Sequence, residues 1–417
     1  FIQTDDDLYQ YAHSNLQEGK KNFLFIDEVQ EVSEFEKALR SLALDENNDI
    51  YVTGSNAKML SGELATYLGG RYIEFTIYSL SYPEFLQFHE LENSDESYGL
   101  YTRYGGLPYL MHLKLEDEIV FEYLKSIYST IVYRDVVSRY ALRNTDILER
   151  LLLFLADNVG SIFSAKGISD YLKSQRVTLG VNQILTYIDH FANAFIISCV
   201  DRYDIVGKRI FEVGNKYYFE NLGIRNVITG FKLQDQGKIL ENIVYNHLLY
   251  QGYKVSVGVL EKQEVDFIGE REGEKVYVQV ALQLNDEATI QREFGNLLKI
   301  EDNYQSVLMS SDNIQKRLQE DLVSTNLLDY IVSDCLLHNN VLYPSNAKAD
   351  WKKYVIANKR NEILSSLYGG KILDNDKQEG KIYTNQKIEI NCDFFWGWNI
   401  QFEYVHKSFP YKFHWQS

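Results

Sequence analysis

NFLFIDEVQ at residues 22–30, followed by DIYVTGSN at residues 49–56, is the pair of segments on which the fold turns. Four apolar residues, Phe23 to Ile26, run without alternation into two adjacent carboxylates, Asp27 and Glu28. An unbroken apolar run fits a strand buried on both faces of a parallel sheet, which places the acids at its C-terminal edge. A second strand, Ile50 to Thr53, ends in Gly54, Ser55 and Asn56 and opens small polar groups at the same edge. Between the two, Glu31 to Leu44 carries Phe35, Leu39, Leu42 and Ala43 at helical spacing. This βαβ rhythm predicts a parallel sheet flanked by helices. Two acids and a hydroxyl at one sheet edge suit a magnesium–nucleotide site. One carboxylate holds the metal through its water shell, and the other orients and activates the attacking water. The plainer alternative is a solvated acidic pair closing a strand.

No G-x-x-x-x-G-K-[ST] loop occurs in the 417 residues; Gly19-Lys20 and Gly237-Lys238 lack the upstream glycine and the following hydroxyl. The backbone cradle and lysine that neutralise phosphate charge are therefore not legible in this sequence.

FLFIDEVQ together with YVTGSNAKMLSGELATYLGGRYIEFTIYSLSYPEFL resembles the second half of the ATPase domain in a large bacterial and archaeal family of AAA-superfamily ATPases. Members of that family also carry a C-terminal domain of unknown function with a nuclease-like fold. The resemblance extends over about Phe1 to Leu337. It implies ATP and Mg2+ as ligands, with Asp27 as the Walker B acid on the metal's water shell and Glu28 as catalytic base. It places Thr53 and Ser55 at a γ-phosphate sensor, and Arg71 of Gly69-Gly70-Arg71 against phosphate. Ser55 and Asn56 are also good caps for a helix starting at Ala57, and Arg71 also reads as an ion-paired surface residue. The family's phosphate-binding loop would precede Phe1. The expectation is an incomplete ATPase that alone binds ATP weakly or not at all.

Further along, Tyr82 to Phe88 begins a helix with Pro83 early, where a missing N–H costs little. Gly105-Gly106-Leu107-Pro108 is a turn before long helical runs at Asp117–Tyr140 and Asp146–Asn158, read as a lid. Helices at Ile147–Val159, Ala165–Ser174 and Gly180–Phe191, then strands at Phe195–Asp201 and Lys208–Val213, give the order of a winged helix. Lys216 to Phe219 reads as a separate short strand. The third helix carries no Lys or Arg, only Asn182, Gln183, Tyr187, Asp189 and His190 among its polar or hydroxylated positions of interest, while Arg202, Lys208 and Arg209 lie on the wing. Phosphate contacts normally supply much of the affinity for DNA. A packing or protein-interaction module is the stronger reading, with DNA binding as the rival.

Leu233 to Ile331 follows the element order of a PD-(D/E)xK nuclease. A helix at Gly237–Gln251 carries Glu241, Val265-Asp266-Phe267 holds the strand acid, and Gln279-Val280-Ala281 stands where E-x-K is expected. The third acid is thus Gln279 and the lysine position is Ala281, so a degenerate fold without nuclease activity is expected. Arg292 and Glu293 lie on the next helix. The histidines and cysteines show no zinc spacing.

The predicted fold class is α/β. A partial P-loop NTPase parallel sheet spans 1–92, a helical lid 93–146, a winged helix 147–232, a nuclease-like α/β domain 233–339 and a tail of unknown class 340–417. The tail holds all four Trp residues. Its 11 Lys+Arg against 8 Asp+Glu give +3, which leaves −20 on the rest of a chain of net charge −17, so it is read as separable. That charge repels nucleic acid and anionic membrane at long range, so a DNA partner needs a local basic patch. Three distant cysteines fit a reduced cytoplasmic setting. The predicted function is ATP hydrolysis driving a change in the C-terminal modules, with no membrane partner and with oligomer formation compatible. The rivals are a DNA-binding or processing protein and a non-catalytic interaction fragment.

Overall fold

A computed structural model describes residues 2–55, 72–142, 144–261, 263–282, 297, 299–300, 304–310, 317–319, 322–326 and 401–405. Helix α1 (Asp5–Asn15) starts on a capping box in which Thr4 and Asp7 satisfy each other's backbone N–H groups. Strands β1 (Asn22–Ile26) and β2 (Asn48–Gly54) pair in parallel with Ile26 opposite Val52. Helix α2 (Phe35–Leu42) crosses between them. The predicted helix from Glu31 is shorter because a 3-10 turn, Val29–Glu31, precedes it and Glu34 takes a left-handed conformation (φ 56°). Leu8, Val29, Phe35, Leu39, Ile50 and Val52 form the core of this unit.

Two further strands, β3 (Tyr72–Thr76) and β12 (Gln401–Val405), complete a sheet of order β1-β2-β12-β3. Strand β12 runs antiparallel to both neighbours, so β2 and β3 are parallel to each other across it. The tail read as separable thus contributes one described strand to the N-terminal sheet.

The helical body comprises α3 (Tyr82–Phe88), α4 (Asp95–Tyr104), α5 (Asp117–Thr130), α6 (Thr145–Asp157), α7 (Ala165–Ser174), α8 (Val181–Asn193), α9 (Leu222–Thr229) and α10 (Gln236–Tyr250). The long run predicted from Asp117 is not uniform. Past Thr130 the chain winds on as a π-helix, Ile131–Ser138.

A second sheet has eight strands in the order β10-β11-β9-β8-β7-β6-β4-β5. They are β4 (Ile197–Asp204), β5 (Arg209–Phe219), β6 (Lys254–Leu260), β7 (Gln263–Arg271), β8 (Glu274–Ala281), β9 (Gln305–Ser310), β10 (Arg317–Gln319) and β11 (Leu322–Asn326). Sequence suggested two strands between 208 and 219. One continuous strand is found, because Gly214 takes φ +89° and carries the chain through the break. The β4–β5 hairpin has the expected winged-helix order, but it is not a free wing. Arg202, Tyr203 and Asp204 pair in parallel with Val257, Gly258 and Val259 of β6. One hydrophobic core runs from Tyr82 to Val307, across the expected boundaries after 146 and 232.

Buried polar groups stitch this core. Asn242 accepts from Phe219 N at 2.8 Å and donates to Phe219 O at 2.7 Å, so its amide stands in for a paired strand. Arg225, almost fully buried, reaches Asp235 at 2.6 Å and Ala156 O at 3.1 Å.

Candidate functional site

The acids predicted at the end of β1 do lie at a sheet edge, and the register shows how they are held. With Ile26 opposite Val52, Asp27 falls level with Thr53. The Thr53 hydroxyl donates to Asp27 Oδ1 and accepts from Glu28 N at 3.1 Å. Thr53 therefore ties the two acids together. Glu28 has φ 48° and ψ 48°, a left-handed conformation that costs a non-glycine residue about 1–3 kcal/mol and concentrates at functional sites.

Both carboxylate oxygens of Glu28 are engaged. Gln30 Nε2 donates to Oε2 and also to Ser55 Oγ at 3.2 Å. Arg134 Nη2 donates to Oε1 at 3.2 Å. Ser55 is buried and sits beside these groups, as the sequence placed it. Among the described residues, Gln30 Oε1 is buried without a hydrogen-bond partner, an acceptor left over beside the acids. Arg71, the fourth predicted member, lies outside the described residues.

Sequence reasoning missed Gln30 and Arg134. Gln30 was within the quoted motif, three residues after Asp27, and carried no signal beyond its polarity. Arg134 is 106 positions from Glu28 in the chain. Its signal was the Arg134-Asp135 pair interrupting an apolar helical run, IVYRDVV. Asp135 is buried, and it receives Arg134 Nε at 3.0 Å and Arg139 Nη2 at 3.4 Å. Burial raises the Asp135 pKa above the usual carboxylate value, and the two arginines offset only part of that.

The structure also brings Glu241, Asp266 and Gln279 together, as the element order predicted. Val280 N donates to Asp266 Oδ2 at 2.8 Å, and Asp266 N to Gln279 Oε1 at 3.4 Å. An unpredicted cation completes the group. Lys216 on β5, its side chain 3% exposed, lies 2.8 Å from Glu241, 2.5 Å from Glu264 and 3.6 Å from Asp266. Tyr218 OH donates to Glu241 Oε1 at 2.6 Å. Gly160, at φ +74°, leaves the space that the Glu241 carboxylate fills; a Cβ there would sit 2.8 Å from Oε2. Burial, followed by the charge of Glu241, raises the Asp266 pKa to about 7, with Lys216 pulling the other way. Lys216 itself is held above its ordinary value: burial opposes its charge, and Glu241, Asp266 and Glu264 outweigh it. A lysine thus enters this group from β5, not at position 281, and a lone lysine in the apolar run Lys216-Tyr217-Tyr218-Phe219 was the available hint.

Among the described residues, no group of three or more His, Cys, Asp or Glu is arranged to hold a metal ion. Nor is any described helix long and apolar enough to cross a membrane.

Residues 2–86 match the AAA domain, and residues 95–235 match a domain of unknown function (DUF8612). An uncharacterized protein of Haemophilus influenzae is 40% identical over 296 residues, covering 70% of this chain and 72% of that protein. The chain belongs to this family, which joins an AAA domain to a domain of unknown function. A second family relative, the uncharacterized protein MJ1544 of Methanocaldococcus jannaschii, is 30% identical over 284 residues, covering 63% of this chain and 62% of that protein. The solved protein VC1899 of Vibrio cholerae covers 80% of this chain and 78% of its own at 12% identity, with a TM-score of 0.18 that carries no argument. Within the family's layout the acid pair lies in the AAA domain and Arg134 in the domain of unknown function. That second domain spans α4 to α9 and the β4–β5 hairpin, and it ends before α10.

Proposed function

We propose that the protein binds and hydrolyses ATP at the C-terminal edge of its N-terminal sheet. The observation that carries this is the placement of Asp27 and Glu28 at the end of β1, beside Thr53 and Ser55 at the end of the parallel β2, inside a matched AAA domain. The donor set fits a hard cation and phosphate: carboxylate and hydroxyl oxygens, with the orphaned Gln30 Oε1 close by. When bound, a magnesium–nucleotide supplies the phosphoanhydride and the metal's charge. Asp27, fixed by Thr53, is oriented to accept hydrogen bonds from the metal's water shell. Glu28 is the base that takes the proton of the attacking water, once one of its oxygens is released. Ser55, already bonded to Gln30, is placed to sense what occupies the edge, and Arg71 is read as a further phosphate contact.

In the full-length natural protein, Glu28→Gln should remove magnesium-dependent ATP turnover and leave nucleotide retention intact. The amide keeps the size and the Gln30 contact but cannot take the proton. Turnover at the parental rate would show that Glu28 is not the base.

A further inference from the structure

One contact between the two matched domains falls on the proposed base itself. Arg134, in the domain of unknown function, donates to Glu28 Oε1 at 3.2 Å across an interval of 106 residues. Its guanidinium does not reach out from a loose surface loop. Asp135, buried on the same turn, receives Arg134 Nε at 3.0 Å and Nη2 at 3.4 Å, which orients the fork so that Nη2 also faces Glu28. Asp135 is in turn held by Arg139 at 3.4 Å.

The turn that carries this group is π-helical, Ile131–Ser138, with Ser138 Oγ bonded back five residues to Tyr133 O at 2.8 Å. A π segment is less stable than the α-helix it interrupts, and such segments gather at functional sites. Just beyond it, Tyr140 stacks on His190 of α8 with ring centroids 3.5 Å apart, so the turn is tied to α8. On the other side, Glu28 is in a left-handed conformation and its second oxygen is taken by Gln30. A base with both oxygens committed cannot also accept a proton from water at full strength.

We propose that Arg134 is a positioning residue that latches Glu28, so that the domain of unknown function sets the availability of the AAA domain's base. This rests on the reading of Glu28 as base. The latch makes the link reciprocal: whatever moves the π turn frees Glu28, and whatever draws on Glu28 loosens the π turn. Lysine could keep the charge at 134 but not the fork that engages Asp135 and Glu28 at once.

The test has two arms on the full-length natural protein. In the first, without nucleotide, backbone hydrogen exchange is followed by mass spectrometry in Arg134→Gln and Glu28→Gln. Exchange should rise roughly two- to fivefold at the far partner in each case, a scale set by a partly exposed ion pair: at residues 26–31 for the arginine variant and at 131–138 for the glutamate variant. Unchanged exchange at 131–138 in Glu28→Gln overturns the latch, whatever the enzyme does with ATP. In the second arm, Arg134→Gln should raise kcat by a similar factor with KM unchanged, and Arg134→Lys should fall between it and the parent. A fall in kcat overturns the restraint and makes Arg134 a contributor to the reaction. A protein that turns over no ATP in any form fails the ATPase reading, and the exchange arm then decides the latch by itself.

Discussion

Replacing Lys216 with methionine probes the second acidic cluster with a magnitude and a pH signature. Methionine keeps most of the volume and removes the ammonium that lies 2.8 Å from Glu241, 2.5 Å from Glu264 and 3.6 Å from Asp266. Breaking a buried ion pair by removing one partner costs about 3–5 kcal/mol, because the other partner is left without compensation. Here three carboxylates lose one cation, which favours the upper end. For a unit of this size each kcal/mol moves the melting temperature by about 2–4 °C, so the expected drop is roughly 6–20 °C. The pH dependence separates this cause from lost packing. Asp266 has a folded pKa of about 7, raised above its unfolded value near 3.8. A raised carboxyl contributes stability that is present in full below the unfolded value and lost as pH rises through the folded one. Without Lys216, which now pulls the Asp266 pKa down, that loss deepens. The gap between variant and parent should therefore be widest near about pH 8 and shrink toward about pH 5, as Asp266 takes up its proton. Calorimetric melting across that range is the assay. A drop of under about 2 °C, or one that is the same at all pH values, would refute the cluster as an electrostatic anchor.

Other outcomes follow from the same geometry. Asn242→Ala should cost about 1–3 kcal/mol for each Phe219 backbone group it orphans, read as a lower urea midpoint at unchanged slope; a midpoint like the parent's would remove the amide from the core's support. Gly160→Ala should destabilise by at least about 1–2 kcal/mol, since it forces a left-handed alanine and meets the Glu241 carboxylate at 2.8 Å, and parental thermal stability would refute this. Metal-dependent nuclease activity is not expected, because the Lys216 ammonium stands among Glu241, Glu264 and Asp266. Plasmid cleavage with magnesium or manganese that disappears in Asp266→Ala would overturn that.

The sheet edge was legible in the sequence because its signal is local. Phe23 to Glu28 and Ile50 to Ser55 each spell out a strand and what it delivers, and parallel pairing fixes the rest, but β1 is not buried on both faces as its apolar run suggested: Phe23 and Phe25 are exposed. The Glu241, Asp266 and Gln279 grouping was legible through element order. What was not legible came from residues whose partners are remote. Arg134 and Lys216 are cations inside apolar runs, and a one-dimensional pattern does not say which carboxylate each will meet. The π-helix escaped because one wider turn changes the phase of a periodic run without changing its composition. The hairpin's pairing with β6 escaped because Arg202 and Val257 are separated by two whole helices, and nothing in either strand names the other. Arg71, and Arg292 and Glu293 on the helix expected after β8, fall outside the described residues.

That shared ladder sets an order on the ribosome. Strand β4 leaves the exit tunnel before α9 and α10, and its parallel partner β6 follows only after both. Until then the edge at Arg202–Asp204 has unpaired backbone groups and no native strand to take them. A parallel contact across so long a span closes late, because its loop entropy comes due before its hydrogen bonds form. The interval between those two strands is thus one window in which the nascent protein is open to mispairing with another chain. Slowing synthesis within α9 or α10 should lengthen that window.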